Sequence, residues 1–318
     1  MKVSVCMPTY GRPDLLKRAL GRLTSLDRPD GGYEVIVVDD GSPDGETVRE
    51  ILASAAASSA IALRWDVFDT NRGAAAARNR AWHLATGEWI AFTDDDCVPR
   101  QDWLVRLLDR AEITGADVVQ GRTCPESGRE QLLALPFTRS VRVDGLSGYY
   151  ETCNIAYRRG LLRDLGGFDE GFRLACDDTD LGWRAGLAGA TAVFAEDAVV
   201  EHAVSAPSWR ADLRSRRRWA DAAKMVARHP DARRLTWRPF IYRKGHLPVL
   251  AVAASLPLLG LPSGRRAWLA MMTAAVAMEA RAAGSSAGLV HRFGRRAVDA
   301  YETAVLVRAS IRERTVLL

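Results

Sequence analysis

The chain has 318 residues, 48% of them apolar and 26% charged, a globular balance that excludes a disordered tract or a small stapled scaffold and suits one large α/β domain with an appendage. Its net charge of +5 is unevenly divided: residues 1–204 hold 23 Lys and Arg against 32 Asp and Glu, whereas residues 205–318 hold 21 against 7. An acidic part suited to cationic metals or neutralised phosphates and a basic part suited to an anionic surface are therefore expected. The five cysteines, Cys6, Cys97, Cys124, Cys153 and Cys176, form no C-x-x-C pair and are odd in number, which points away from a disulfide framework or zinc site and towards a reducing cytoplasm. The amino terminus, MKVSVCMPTYGRP, is too short in its apolar part for a secretory h-region, so no export is expected.

In chain order, Val3–Met7 reads as a strand and Pro13–Leu26 as a helix, with Pro13 in the first turn and Leu15, Leu16, Ala19, Leu20 and Leu23 on one face. Tyr33–Val38 is a second strand, followed by a helix that Ser42 and Pro43 open towards Ala57. Ile61–Phe68 is a third strand, Ala74–Thr86 a helix stopped by Gly87, and Trp89–Phe92 a fourth strand. A helix over Trp103–Thr114, a strand near Asp117–Gln120, an extended Cys153–Tyr157 and a helix near Leu161 follow. Strands at Thr191–Phe194 and Val199–Val200 then lead to His202. Alternating strands and helices with near-continuous apolar strands predict a mainly parallel sheet covered on both faces.

Ligands of such sheets bind beyond the carboxyl ends of the strands. Four polar clusters converge there: Pro8-Thr9-Tyr10, Asp39-Asp40, Asp69-Thr70-Asn71-Arg72 and Asp94-Asp95-Asp96. The first turn, PTYGRP, lacks G-x-G-x-x-G, and no G-x-x-x-x-G-K-[ST] occurs, which excludes dinucleotide and P-loop readings. Three adjacent aspartates repel one another unless a cation neutralises them, and hard oxygen ligands select Mg2+ or Mn2+; a solvated acidic turn is the alternative. Asp40 suits either a ribose hydroxyl or helix capping.

The segments VSVCMPTYGRPDLLKRAL, YEVIVVDDGSPD, NRGAAAARNRAWHLATGEWIAFTDDDCVP, GGFDEGF and DDTDLGWR resemble, in order and spacing, the family 2 glycosyltransferases of GT-A fold. The resemblance spans about residues 1–204. It implies a Rossmann-like α/β fold and an inverting transfer from a nucleotide sugar, most commonly a uridine diphosphate sugar, to a hydroxyl acceptor that is a glycan, lipid-linked or a small molecule. It places Thr9, Tyr10, Asp40, Asn71 and Arg78 around the nucleotide. Asp94, Asp95 and Asp96 take the Asp-X-Asp positions, Asp96 holding the cation with His202 as a further ligand. Asp178 matches the catalytic base and Asp177 the glutamate that usually precedes it. Asn154 and Trp183 resemble acceptor-side and sugar-side positions. The chemistry is coherent, since a metal neutralises the departing diphosphate and a carboxylate takes the acceptor proton. The alternatives from the residues alone are that Asp177, Asp178 and Asp180 favour the start of a helix, that His202 is structural and that Trp183 fills the core.

Residues 205–246 form a basic helical segment with 12 Lys and Arg against three Asp. Arg218-Trp219 matches the end of the Gln-x-x-Arg-Trp motif of processive synthases, without its glutamine, and would close over the diphosphate. No nucleic-acid motif accompanies the arginines. In the remainder, 247–318, the apolar runs Leu247–Pro262 and Ala267–Met278 are each too short to span a bilayer. A buried helical pair accounts for the two runs about as well as an embedded hairpin, but the flanking Arg243, Lys244, Arg265, Arg266, Arg292, Arg295 and Arg296 suit anionic lipid, so peripheral or monotopic attachment to the inner leaflet is expected. The competing function is a catalytically silent sugar-nucleotide-binding module whose tail recruits a partner or membrane.

Overall fold

The computed structural model describes residues 2–135, 137–261, 263–283 and 286–318. They form two compact units, Met1–Ala206 and Pro207–Leu318.

The first unit is built on β1 (Val3–Thr9), β2 (Tyr33–Asp39), β3 (Ala62–Val67), β4 (Trp89–Phe92), β5 (Cys97–Pro99), β6 (Val118–Pro125), β7 (Ile155–Arg158) and β8 (Ala192–His202). These make one sheet in the order β3-β2-β1-β4-β7-β6-β8-β5. Pairing is parallel from β3 to β4 and between β6 and β8, while β7 and β5 run the other way. Every residue of β1 and β2 is buried, the pattern of strands covered on both faces. One face packs on α1 (Pro13–Leu23), α2 (Gly45–Ser58) and α4 (Trp103–Thr114) through Leu16, Leu20, Leu52, Leu104 and Leu107. The other packs on α3 (Ala74–Leu84), α5 (Arg159–Leu165) and α6 (Asp177–Leu187) through Ala77, Trp82, Leu162, Leu181 and Ala185.

Two local readings are corrected. Ser42 does not open α2, which begins at Gly45; its hydroxyl instead donates to Asp39 Oδ1 and accepts from the Gly11 amide at 2.7 Å, tying the ends of β1 and β2 together. Gly41 has φ +74°, and a Cβ there would stand 2.6 Å from the Thr70 carbonyl carbon, so only glycine lets the chain pass. The two strands expected near 191–200 are one strand, β8, whose pairing with β6 shifts between Gly121 and Arg122 so that residues 196–198 loop out. Asn154 fills that irregularity: its Nδ2 donates to Arg122 O at 2.7 Å and Ala198 O at 2.9 Å, and its Oδ1 accepts from Trp103 Nε1 at 2.8 Å.

The second unit contains α7 (Trp209–Ser215), α8 (Ala220–Arg228), α9 (His246–Ser255), α10 (Gly264–Ala283) and α11 (Ser286–Arg312). A 3-10 turn at Arg216–Trp219 divides the basic segment. Among the described residues, no helix is long and apolar enough to cross a membrane. Pro262, which ends the first apolar run, lies outside the described residues.

The Gly121 site yields a stability prediction. A Cβ at 121 would collide with the Asn154 amide and the Ala198 carbonyl, so Gly121→Ala should cost about 1–3 kcal/mol, read as a lower urea midpoint at unchanged slope.

Candidate active site

The parallel strands deliver their carboxyl ends to one rim. Thr9 ends β1 level with Asp39 at the end of β2. Thr9 Oγ1 donates to Asp95 Oδ2 at 2.7 Å, joining the β1 end to the loop after β4. Asp40 is buried and accepts from the amides of Arg72 at 2.7 Å and Gly73 at 2.9 Å, shaping the loop after β3. Tyr10 and Asn71 are exposed on the same rim.

The three aspartates after β4 have three environments. Asp94 is partly exposed and accepts from Arg78 Nη2 at 2.8 Å. Asp95 is buried, and that burial pushes its carboxyl up to about 7 against the pull of Arg12 and Thr9. Asp96 is desolvated as well, yet His202 and Arg12 together hold it below the ordinary carboxylate range. Arg12 contacts Asp95 and donates to Asp96 Oδ2 at 2.6 Å. Arg12 sits in the PTYGRP turn, where no local motif marks it as a partner of the aspartates after β4.

His202 meets Asp96 because of β5, a three-residue strand that the sequence does not announce. β5 pairs antiparallel with β8 at Cys97↔His202, and the Ala203 amide donates to Asp96 O at 2.8 Å. His202 Nδ1 lies 2.9 Å from the Ala203 carbonyl, which can only accept, so Nδ1 carries the proton. While Nε2 is also protonated the imidazolium pairs with Asp96 Oδ1, 3.6 Å away, and loss of that proton turns the Nε2 lone pair towards the same oxygen. Two facing acceptors of this kind fit a cation. Cys97 Sγ lies within the same cluster, but burial raises its thiol well above the usual range, which keeps it protonated and a poor partner for a hard ion.

Across the rim, α6 begins after Cys176, whose φ of +66° turns the chain into the helix. Asp177 and Asp178 occupy its first turn. Asp177 is buried and accepts from Arg78 Nη1 at 2.7 Å. Asp178 is half-buried, and its Oδ1 accepts from the Thr179 amide at 2.7 Å. Desolvation, with the neighbouring Asp177 carboxylate adding to it, pushes Asp178 up to about 8. Arg78 thus grips Asp94 and Asp177 at once. The β4 end and the α6 start share one buried guanidinium.

The structure therefore gathers Thr9, Asp94, Asp95, Asp96, His202, Arg78, Asp177 and Asp178 into one connected set. Asn154 stands apart from them: it is fully buried and its amide is committed to Arg122, Ala198 and Trp103. Asp180 is buried and pairs with Arg184 at 2.8 Å within α6. Trp183 is half-buried and donates to Gly148 O at 3.1 Å. Arg218 and Trp219 belong to the second unit, where the Arg243 guanidinium lies 4.4 Å from the Trp219 ring centroid.

Residues 4–166 match the model of Glycosyl transferase family 2, and residues 89–280 that of Glycosyl transferase family group 2. The chain belongs to glycosyl transferase family 2. It is 32% identical over 207 residues to the glycosyltransferase AglE of Haloferax volcanii, covering 63% of this chain and 66% of AglE. It is 29% identical over 246 residues to the pre-mycofactocin glycosyltransferase of Mycobacterium tuberculosis, covering 72% and 48% respectively. The chain thus spans about half to two thirds of the length of these relatives. Among solved structures, the mannosyltransferase PcManGT of Pyrobaculum calidifontis, in complex with GDP-Man and Mn2+, superposes with a TM-score of 0.61 at 25% identity, over 97% of this chain and 86% of that one. That likeness accords with a GT-A α/β sheet carrying a helical C-terminal extension.

Arg78 generates the prediction for this site. Its loss strands Asp94 and the buried Asp177 without a counter-charge, so Arg78→Met should destabilise the fold by about 3–5 kcal/mol. Arg78→Lys should recover only part, because one ammonium does not reproduce the two-armed fork. Thermal melts of the three proteins at one pH make the comparison.

Proposed function

We propose that this chain transfers a sugar from a nucleotide-sugar donor to a hydroxyl acceptor with inversion at the anomeric carbon, using Mn2+ or Mg2+ and Asp178 as general base. The observation that supports the reading is the double ion pair of Arg78, 2.8 Å to Asp94 and 2.7 Å to Asp177, which ties the aspartate-rich end of β4 to the helix turn that carries the candidate base Asp178. Asp96 and His202 would hold the cation, which when bound neutralises the leaving diphosphate. Thr9, Tyr10, Asp40 and Asn71 frame the nucleoside end, and Asp94 and Asp95 the ribose and sugar. The Mn2+ and GDP-Man in the Pyrobaculum relative support a metal and a nucleotide sugar here; the family resemblance favours a uridine diphosphate donor. Asp178 accepts the acceptor proton from the side opposite the leaving group, as an in-line displacement requires.

The test is a thermal-shift screen of nucleotide sugars with and without Mn2+, followed by Asp178→Asn. A ligand bound only by the native state raises Tm, and Mn2+ should enhance that rise in the wild type but not in His202→Ala. Asp178→Asn should keep donor binding and lose transfer by about 100-fold or more. Because the base form is the deprotonated one, wild-type rate should climb as pH rises through about 8 and level off above it. Full transfer by Asp178→Asn refutes the base assignment.

We further propose peripheral attachment to an anionic membrane leaflet through the second unit. Leu247, Leu256, Leu261 and Leu269 are 45–59% exposed around α9 and α10, beside exposed Lys244, Arg265 and Arg266. Basic side chains near an anionic surface contribute about 1 kcal/mol each. The protein should float with phosphatidylglycerol-containing vesicles and not with pure phosphatidylcholine, and high salt should release it. Equal partitioning to both vesicle types, or to neither, removes the proposal.

A further inference from the structure

The base proposed above has an uncommitted neighbour. The segment 148–151 is clamped against the start of α6 by three contacts. Thr179 Oγ1 donates to Tyr149 O at 3.0 Å, Trp183 Nε1 donates to Gly148 O at 3.1 Å, and the Tyr150 ring lies against Gly182, where a Cβ would collide with it. Tyr150 has φ +57°, which turns the chain at this point. The next residue, Glu151, has its carbonyl fixed by Gln120 Nε2 at 3.1 Å. Its carboxyl group is partly desolvated and feels its own backbone amide, but Oε2 is buried and meets no hydrogen-bond partner among the described residues. Its charge acts on Asp178.

A second buried group lies near the same base. Tyr157 on β7 is fully buried and packs with Phe92, Leu181 and Ala185, yet its hydroxyl also meets no partner among the described residues. It interacts electrostatically with Asp178 and Tyr150. A buried carboxylate oxygen and a buried phenol left unpaired beside a half-buried carboxylic acid are costly unless a ligand supplies the missing partners.

We propose that Glu151 is an acceptor-binding residue, accepting a hydrogen bond from a second hydroxyl of the acceptor next to the one that reacts, so that the acceptor is a sugar or other polyol and not a phosphate. This rests on Asp178 being the base. A carboxylate wants O–H donors, which a carbohydrate offers in adjacent pairs. With Asp178 ionised, as the base form requires, an anionic acceptor oxygen would instead meet like charge at Asp178 and Glu151, and like charges in a partly desolvated site repel. Donor binding is served by the strand ends and does not need Glu151. Removing the carboxylate therefore weakens capture of the acceptor and leaves the reaction of the donor with water.

The experiment uses the full chain with Mn2+ and whichever of UDP-glucose, UDP-N-acetylglucosamine and GDP-mannose the wild type hydrolyses fastest. The acceptor probes are octyl glycosides of glucose, galactose, mannose and N-acetylglucosamine, with octyl phosphate as the anionic arm. Wild type should transfer to at least one glycoside in preference to octyl phosphate. Glu151→Ala should raise the KM for that glycoside about tenfold or more, with donor KM and donor hydrolysis within about twofold. Glu151→Gln, nearly isosteric and still bearing a carbonyl acceptor, should fall between, and it carries the test if the alanine variant does not fold. Transfer to none of the glycosides, preference for octyl phosphate, an unchanged glycoside KM in both variants, or a parallel loss of hydrolysis and transfer would each overturn the assignment. Asp178→Asn is assayed alongside: retained transfer there strikes the base assignment, whereas the Glu151 readout is a ratio of acceptor KM values and is judged separately.

Discussion

One guanidinium organises the rim. Arg78 reaches Asp94 at the end of β4 with one arm and Asp177 at the start of α6 with the other, and it is itself 6% exposed. Without a cation there, the two carboxylates would repel across the cleft, and the loop after β4 would lose its electrostatic reason to stay beside the first turn of α6. The arginine comes from α3, whose register is set by Ala77, Ala81 and Trp82 packing under the sheet. A hydrophobic decision about which face of a helix goes inward thus fixes where a charge appears. The charge in turn sets the spacing between the end of β4 and the first turn of α6.

Around that centre, aspartates of the same chemistry take different characters from their surroundings. Asp96 is held low by His202 and Arg12 and is poised to stay ionised. Asp95 is carried up to about 7 by burial, and Asp178 to about 8 by desolvation and a like-charged neighbour. Environments that push carboxylates apart in acidity let one residue type serve different chemistry, and here they separate the proposed cation ligand from the proposed base.

Much of this was legible in the chain. The alternation of apolar runs and amphipathic helices locates most strands within a few residues, and the rule that ligands gather at strand carboxyl ends brings Thr9, Asp40 and Asp94–Asp96 together from the sequence alone. What stayed hidden depends on contacts distant in sequence. β5 is three residues whose only reason to be extended is its ladder with β8, about a hundred residues on. Asn154 looked like a ligand-facing amide because nothing local shows the gap between β6 and β8 that it fills. Glu151 and Tyr157 carry no local motif at all. Their importance emerges only when their unmet hydrogen-bonding capacity is counted in three dimensions.

β5 also lies at the margin of the sheet, where exposed backbone ordinarily invites another chain to add a strand. Here the margin is three residues long and ends in Pro99, which has no amide hydrogen to offer. The segment that aligns Asp96 with His202 is therefore too brief to template self-association, and a candidate cation centre can sit at the border of the sheet without becoming a nucleus for aggregation.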